Sequence, residues 1–556
     1  MSEDGVDCWS AVADVLAATG CSSVFGLPSD EPGLLDAADA HPGLRAWRIG
    51  DQRTAACAAA GHAMVSGRPV ALAVNSGPGF ANALAGLLEA SSLAVPLVLI
   101  TTSVPSEGVG RGGFQHVDQQ RMLAPLTSWQ YEARSAEVLT WAVERAVRLA
   151  VDGRAGITAV EIADEVLRAP VPAPVGVRPV LPLRSTPSED ALERATALLD
   201  GARRPVVLAG GGCRWSAGSG PAVVGLAERL GAPVLTTAAG RGVVPETHPL
   251  ALGLVGLYTT PPAGEVLAEA DALLVLGSRL EETARMGWDA WRSTPTVQVD
   301  KSAAAFGEGC SPEVALLGDV ALTAGALTAR VAVRDRAPWS ERVRGVALAQ
   351  EECARASFAR SPVRAAVRLA QRELGRLAVV VQDNGLHDMW SYHYPVLRVE
   401  EGTTVVCPGE QTLMGFGLAA SVGASAGTPE GSVCAVFTGD SAFRLSAGAL
   451  ESLREQGSGV VVVVFDDAGF GWPRRLRLAV GADTRVTEVS GGPTADELAA
   501  VHGGWGATAR TEAELVAALR TARDRAVRGG FSVVRVPAAD DDVPVGVLEM
   551  EREGHA

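Results

Sequence analysis

Two short runs in the sequence carry residues that could share one divalent cation. Gly439-Asp440-Ser441 follows the apolar run 434–437, and Asp466-Asp467-Ala468-Gly469-Phe470-Gly471 follows the still more apolar run 460–465. Asp467 stands 27 residues after Asp440. If the apolar runs are neighbouring strands of a parallel sheet, both carboxylates arrive at the edge where such sheets bind ligands. Two carboxylates and a backbone carbonyl are hard oxygen donors suited to Mg²⁺, which also takes phosphate oxygens and water. Taken alone, the same aspartates read as two N-caps on exposed loops.

The elements that must position them recur along almost the whole chain. Apolar runs at 70–74, 97–101, 158–162, 206–209, 234–237, 272–277, 297–299, 378–381, 433–437 and 460–465 read as buried parallel strands. Between them lie helical patterns such as 80–92, 191–199 and 363–373. This alternation predicts an α/β protein of doubly wound parallel sheets covered by helices. Ten or more strands are too many for one ordinary sheet. Six prolines between 170 and 187 read as a semi-rigid linker, and the charged stretch from about 332 to 361 reads as a second joint. Three doubly wound domains are therefore expected at 1–168, 188–332 and 361–540, with a polar tail holding Asp540-Asp541-Asp542.

Composition narrows the function. The 556 residues carry 48 basic and 64 acidic side chains, a formal charge of −16, without a long acidic run. That balance argues against a coat for nucleic acid or anionic membrane, both of which need a dominant positive surface. No apolar segment reaches the roughly 20 residues of a membrane span. The start, Met1-Ser2-Glu3-Asp4, lacks the basic region of a secretory signal. The eight scattered cysteines suggest neither a disulfide framework nor a zinc site. The expectation is a soluble cytoplasmic protein.

The segment 439–471 resembles the diphosphate-binding motif of thiamine-diphosphate-dependent enzymes, which begins Gly-Asp-Gly and ends Asn-Asn after about 27 residues. The resemblance implies that Asp440, Asp467 and the Gly469 carbonyl hold Mg²⁺, which bridges to the cofactor. It implies that Gly439, Ser441, Ala442, Phe470 and Gly471 line the diphosphate site. Asp467 stands where the family has asparagine, which keeps an oxygen ligand and adds a negative charge. Leu413-Met414-Gly415-Phe416-Gly417-Leu418 is similar to the Thr-Met-Gly-Phe-Gly-Leu segment of the acetolactate synthase branch, whose methionine props the cofactor into a bent V shape. Asn384-Gly385-Leu386-His387-Asp388-Met389-Trp390 resembles Val-Gly-Gln-His-Gln-Met-Trp, so Asn384, Gly385 and His387 are expected at the diphosphate.

The first domain matches as well. Val24-Phe25-Gly26-Leu27-Pro28 and Asn75-Ser76-Gly77-Pro78-Gly79-Phe80-Ala81-Asn82 resemble the pyrimidine-binding segments, which implies cofactor contacts from Gly26, Pro28, Ser76, Gly77 and Asn82. Glycines there let backbone approach a ligand, and the following helix points its positive end towards it. Phe114-Gln115-His116-Val117-Asp118 is similar to the substrate-side Phe-Gln-Glu-Val-Asp; Phe114, Gln115, His116 and Ser29 are the substrate-side candidates. In the middle domain, Gly210-Gly211-Gly212 and Gly277-Ser278-Arg279 could approach a dinucleotide phosphate. Acetolactate synthases hold a flavin dinucleotide in that domain, but many relatives keep the glycines without it, so FAD is the lesser expectation. The resemblance runs from about residue 8 to 535.

One departure bears on mechanism. The family's catalytic glutamate lies nine positions before the glycine of a Gly-Tyr-Ala segment, and hydrogen-bonds N1′ of the aminopyrimidine. Here Gly61-His62-Ala63 is the equivalent, and Gln52 holds the glutamate's place, with Asp51 beside it. Glutamine can hydrogen-bond N1′ but cannot do general acid–base work. Three readings stay open: a one-residue shift that brings Asp51 to N1′, catalysis without the carboxylate as in glyoxylate carboligases, or loss of turnover. The resemblance implies thiamine-diphosphate-dependent cleavage of a 2-oxo acid, with transfer of the acyl carbanion equivalent to a carbonyl acceptor. A simple 2-oxo acid decarboxylase and a non-catalytic regulatory homologue are the alternatives. The family builds its site between subunits, which implies a homodimer or homotetramer.

Overall fold

Among the described residues, eighteen strands form three six-stranded sheets with parallel pairing throughout. The structure is a computed structural model that describes residues 5–489, 491–539, 542–544 and 546–548. The acidic Met1-Ser2-Glu3-Asp4 and Asp540-Asp541 lie outside the described residues.

The first sheet contains β1 (Ser23–Gly26), β2 (Arg45–Arg48), β3 (Val70–Val74), β4 (Leu97–Thr102), β5 (Thr127–Ala133) and β6 (Ile157–Ile162), in the order β2-β1-β3-β4-β6-β5. The second contains β7 (Pro205–Ala209), β8 (Val234–Thr236), β9 (Ala251–Leu254), β10 (Ala272–Leu276), β11 (Thr296–Asp300) and β12 (Val314–Leu317), in the order β12-β11-β10-β7-β8-β9. The third contains β13 (Leu377–Gln382), β14 (Thr404–Val406), β15 (Val433–Gly439), β16 (Val460–Asp466), β17 (Trp505–Thr508) and β18 (Ser532–Pro537). Its order, β14-β13-β15-β16-β18-β17, repeats that of the first. The central strands are valine-rich and buried on both faces, as sheets covered by helices require. In each sheet the chain leaves two adjacent strands in opposite directions: β1 and β3, β7 and β10, β13 and β15. Such switch points open a crevice at the carboxyl ends of the strands.

The chain groups into two compact units. One comprises Met1–Leu183, Gln411–Gly427 and Ser446–Ser458; the other comprises Arg184–Glu410, Thr428–Leu445 and Gly459–Ala556. In the first unit, helix Gln52–Ser66 is rich in alanine and buried along most of its length. Its small residues let helix Phe416–Ala426 approach closely. A Cβ on Gly61 would lie 2.2 Å from the Ala420 carbonyl oxygen, and one on Gly423 would lie 1.8 Å from that of Ala58. His62 Nδ1 lies 3.2 Å from the Gly423 carbonyl oxygen, and burial lowers its pKa. Gly423→Ala gains about 1 kcal/mol of helix propensity. Overpacking against rigid backbone costs about 1–3 kcal/mol and occasionally more. The expected net result is destabilisation, read as a lower denaturant midpoint at unchanged slope.

The charged stretch after residue 332 is not a loose joint. It folds as helix Ala337–Phe358, burying Trp339, Val343, Val346, Gln350 and Ala354. Its charges occupy the remaining faces, which is why charge alone misread it. The proline-rich 170–187 stretch stays irregular apart from an antiparallel bridge between Val171 and Val6. None of the eight cysteines forms a disulfide. No helix among the described residues is long and apolar enough to cross a membrane.

Candidate functional site

The pyrimidine-side candidates gather at the β1/β3 switch point of the first unit. Gly26 ends β1 and pairs in register with Ala73 of β3, and Ser76 and Gly77 follow β3 directly. Gly77 adopts φ 69° and starts helix Pro78–Ser92; a Cβ there would lie 2.6 Å from the Gln115 carbonyl oxygen. Pro28 is exposed and Ser29 is half-buried, its hydroxyl donating to the Glu31 carbonyl at 2.6 Å.

Asp51 and Gln52 separate clearly. Asp51 is the N-cap of helix Gln52–Ser66, its Oδ1 accepting the Thr54 N–H at 2.9 Å. Gln52, the first helical residue, turns towards helix Pro78–Ser92, where its Oε1 accepts from Asn82 Nδ2 at 2.9 Å. Arg53 donates to the Met414 carbonyl, and Leu413 N–H donates to Glu89 at 2.7 Å. Gln52, Asn82 and Met414 therefore stand on elements that one unit holds together. Arg53 carries no signal in the sequence, because its partner lies more than 350 residues away.

A cavity of about 270 Å³ at the ends of β4, β5 and β6 is lined by Ser76, Gln115 and His116, but not by Phe114 or Ser29. Phe114 is 85% exposed. Gln115 sits at φ 60°, in the left-handed region that non-glycine residues rarely adopt. Asp118, Glu132, Arg134 and Glu161 add one cation and three carboxyls to the wall. Burial raises the Glu161 pKa against the opposing hydrogen bonds of Gln120 and Gln119.

The diphosphate-side candidates gather at the matching switch point of the third sheet, in the other unit. Asn384 and Gly385 follow β13, Asp440 follows β15, and Asp467 follows β16 beside it. A Cβ on Gly439 would meet nothing nearer than the Gly385 Cα at 3.9 Å, so bare backbone lines this crevice. Ser441 Oγ donates to the Gly469 carbonyl at 2.6 Å, tying the two strand-end loops together and leaving that oxygen a second lone pair. Ala442 is buried in the short helix Asp440–Leu445. Phe470 N–H donates to the Thr487 carbonyl at 2.8 Å. Gly471 leaves room for Asp467, whose Oδ2 would lie 1.8 Å from a Cβ there.

The electrostatics favour a cation. Asp440 is 4% exposed, and burial, then Asp466 and Asp467, push its carboxyl up to about 7. Asp466 is neutralised by Arg535. Asp467 Oδ2 lies 3.1 Å from His387 Nδ1, and Arg474 donates to its backbone carbonyl at 3.0 Å. Its buried Oδ1 has no hydrogen-bond partner; Arg474 is 3.8 Å away. Burial lowers the His387 pKa, but the Asp467 hydrogen bond and charge outweigh it and the net shift is upward. Asp388 is fully buried near Gly385, its carboxyl raised well above the usual range by burial and by Asp383. Two crowded carboxylates, an orphaned oxygen and a carbonyl fit Mg²⁺ that completes its shell with diphosphate and water. Among the described residues, no group of three or more histidine, cysteine, aspartate or glutamate side chains could hold a metal by itself.

At the switch point of the middle sheet the candidate glycines pack against one another. Gly210 N–H donates to Leu276 and Gly212 N–H to Gly277, each at 2.8 Å. A Cβ on Gly210 would lie 2.4 Å from Ser278 Cβ. Gly210 and Gly212 thus interlock two strand ends, with their own amides engaged there.

Two sheets of identical order, each carrying its candidate residues at the same switch point, describe a cofactor enzyme with paired binding domains. The chain belongs to the thiamine pyrophosphate enzyme family, in its acetolactate synthase-like branch. Residues 7–122 match its N-terminal TPP binding domain, 192–327 its central domain and 383–536 its C-terminal TPP binding domain. The chain is 27% identical over 487 residues to a probable acetolactate synthase large subunit of Methanocaldococcus jannaschii, covering 83% of this chain and 80% of the relative. It is 31% identical over 481 residues to a probable 2-ketoarginine decarboxylase of Pseudomonas aeruginosa, covering 83% and 82%. A sulfoacetaldehyde acetyltransferase of Rhodobacter capsulatus is 28% identical over 548 residues, covering 92% and 91%.

Proposed function

We propose that this chain cleaves a 2-oxo acid with thiamine diphosphate and Mg²⁺ and hands the acyl carbanion equivalent to a carbonyl acceptor, an acetolactate synthase-like carboligation. The observation that carries this reading is the crevice between β13, β15 and β16, where Asp440, Asp467 and the Gly469 carbonyl converge. Domains are proposed at 1–168, 188–332 and 361–540, in a homodimer or homotetramer. The bound cofactor supplies the electron sink for the acyl carbanion.

The chain's own residues bind, orient and shield. Asp440, Asp467 and Gly469 would hold the metal; Gly439, Ser441, Ala442, Phe470 and Gly471, with Asn384, Gly385 and His387, would line the diphosphate. Gly26, Pro28, Ser76, Gly77 and Asn82 would hold the pyrimidine, with Met414 supporting the cofactor from its apolar side chain. Gln52 addresses N1′ through Nε2, since its Oε1 is engaged by Asn82. An amide donor there favours the ring nitrogen as an acceptor and leaves it without an acid–base partner. Asp51 would have to abandon Thr54 to replace it. Gln115 and His116 face the substrate cavity.

A second reading, decarboxylation to an aldehyde, is favoured by the acidic wall of that cavity. Asp118, Glu132 and Glu161 against Arg134 alone suit a 2-oxo acid whose far end is cationic. One relative is described as a 2-ketoarginine decarboxylase. Product analysis separates the readings. With pyruvate plus a second 2-oxo acid or an aldehyde, carboligation yields carbon dioxide and a new hydroxyketone. Aldehyde as the sole organic product establishes the second reading, and preference for a guanidino acid would identify its donor. No carbon dioxide from any 2-oxo acid sinks both and leaves a non-catalytic homologue.

A further inference from the structure

A cavity of about 710 Å³ opens at the amino-terminal ends of β7 and β10, the edge of the middle sheet opposite its glycine loops. Its wall carries Arg203, Arg204, Arg334, Arg336 and Arg342. Five arginines converging within a chain of net charge −16 need a reason.

The carboxylates around the cavity do not supply it. Glu269 and Glu265 neutralise Arg342. Asp200 Oδ1 accepts the Ala332 N–H, and Asp335 Oδ1 that of Ala337. Asp271 accepts the backbone amides of Arg203 and Arg204. Among the described residues, no carboxylate forms an ion pair with the side chains of Arg203, Arg204, Arg334 or Arg336. Arg336 is the telling one. It is 6% exposed, donates only to the carbonyls of Ala202 and Leu199 at 3.1 and 3.0 Å, and leaves its buried Nη1 without a partner. Asp200 and Asp271 act on this guanidinium only through space, without a hydrogen bond, and a buried donor left without a partner is costly unless an acceptor approaches.

We infer that this cavity binds a multiply charged phosphate compound. Guanidinium forks match phosphate oxygens in pairs, and the volume falls in the range of small-molecule sites. Arg203, Arg204 and Arg334 are exposed and make the direct contacts, while Arg336 supplies fixed positive charge behind them. None of the residues lining this cavity is among those assigned to the cofactor.

The test uses full-length enzyme saturated with Mg²⁺ and thiamine diphosphate, which removes the cofactor site from competition. Inorganic triphosphate and ADP are titrated calorimetrically at 150 mM salt; the first reports phosphate alone, the second a nucleotide. Binding of either, weakened at least 10-fold by Arg334→Ser and again by Arg203→Ser, supports the site. Both positions are exposed, so these variants should keep the wild-type melting temperature and turnover. Arg336→Met should weaken binding too, but can also disturb folding and is not decisive alone. Absence of binding at millimolar triphosphate and ADP overturns the inference. So does binding that survives the Arg203→Ser, Arg334→Ser double variant.

Discussion

Gln52→Glu should accelerate exchange of the bound cofactor's C2 proton by about 10²- to 10⁴-fold, the usual contribution of a positioned acid–base group. Glutamate keeps an oxygen to accept from Asn82 Nδ2 and offers the second to N1′, where glutamine can only donate. Asp51→Asn is the control. Asparagine caps helices as well as aspartate does, so helix Gln52–Ser66 and the exchange rate should both be unaffected. The measurement is hydrogen–deuterium exchange at C2 by quenched-flow NMR. If Asp51→Asn stops exchange and Gln52→Glu changes nothing, Asp51 is the base. Overall turnover of Gln52→Glu need not rise, because a later step tuned to the amide can become limiting.

Asp440→Ala should lower affinity for thiamine diphosphate in Mg²⁺ by at least about 100-fold, because one of the three protein ligands proposed for the cation is lost. Chelation of Mg²⁺ should release the cofactor from the wild type in the same way. The apo protein should respond in the opposite sense. Folding raises the Asp440 pKa from an ordinary 3.8 to about 7, so between these values the native state holds a proton that the unfolded state gives up. Stability at this residue therefore falls as pH rises from about 4 to about 7, by up to about 4 kcal/mol, and is flat above. Removing the carboxyl should flatten that slope and raise the apo melting temperature at pH 8. A merely structural aspartate would give a less stable apo variant with unchanged cofactor affinity, and that pair of results would refute the metal site.

What the sequence made legible follows from where information is local. The valine run of β16 and the apolar core of β15 announce themselves, because a strand buried on both faces admits little else. Edge strands such as β2, Arg-Ala-Trp-Arg, and β17, Trp-Gly-Ala-Thr, carry mixed residues and are indistinguishable from loop until their neighbours are known. Asp440 and Asp467 were readable because their spacing is a property of one strand–helix–strand unit. The choice between Asp51 and Gln52 was not, since it depends on a cap bond to Thr54 and an amide pair with Asn82 on another helix. The segment around His387 signals a place at the diphosphate but not its contact with Asp467, and Arg474, which holds the Asp467 carbonyl, carries no signal in spacing or type. The glycines of 210–212 are ambiguous for a related reason: close packing and phosphate binding select the same residue.

The first unit is assembled from three stretches of chain, and its helix Gln52–Ser66 is covered by Phe416–Ala426. A ribosome adding about 5–20 residues per second needs roughly 20–70 s to make residues 67–410. For that interval the nascent helix presents its row of alanines to water or to a chaperone, because its cover does not yet exist. The β7–β14 region is synthesised in full before the amino-terminal part of the protein can close. Completion of the earliest-made segment is thus a late docking event, and aggregation during overexpression is expected to start from that open helix face.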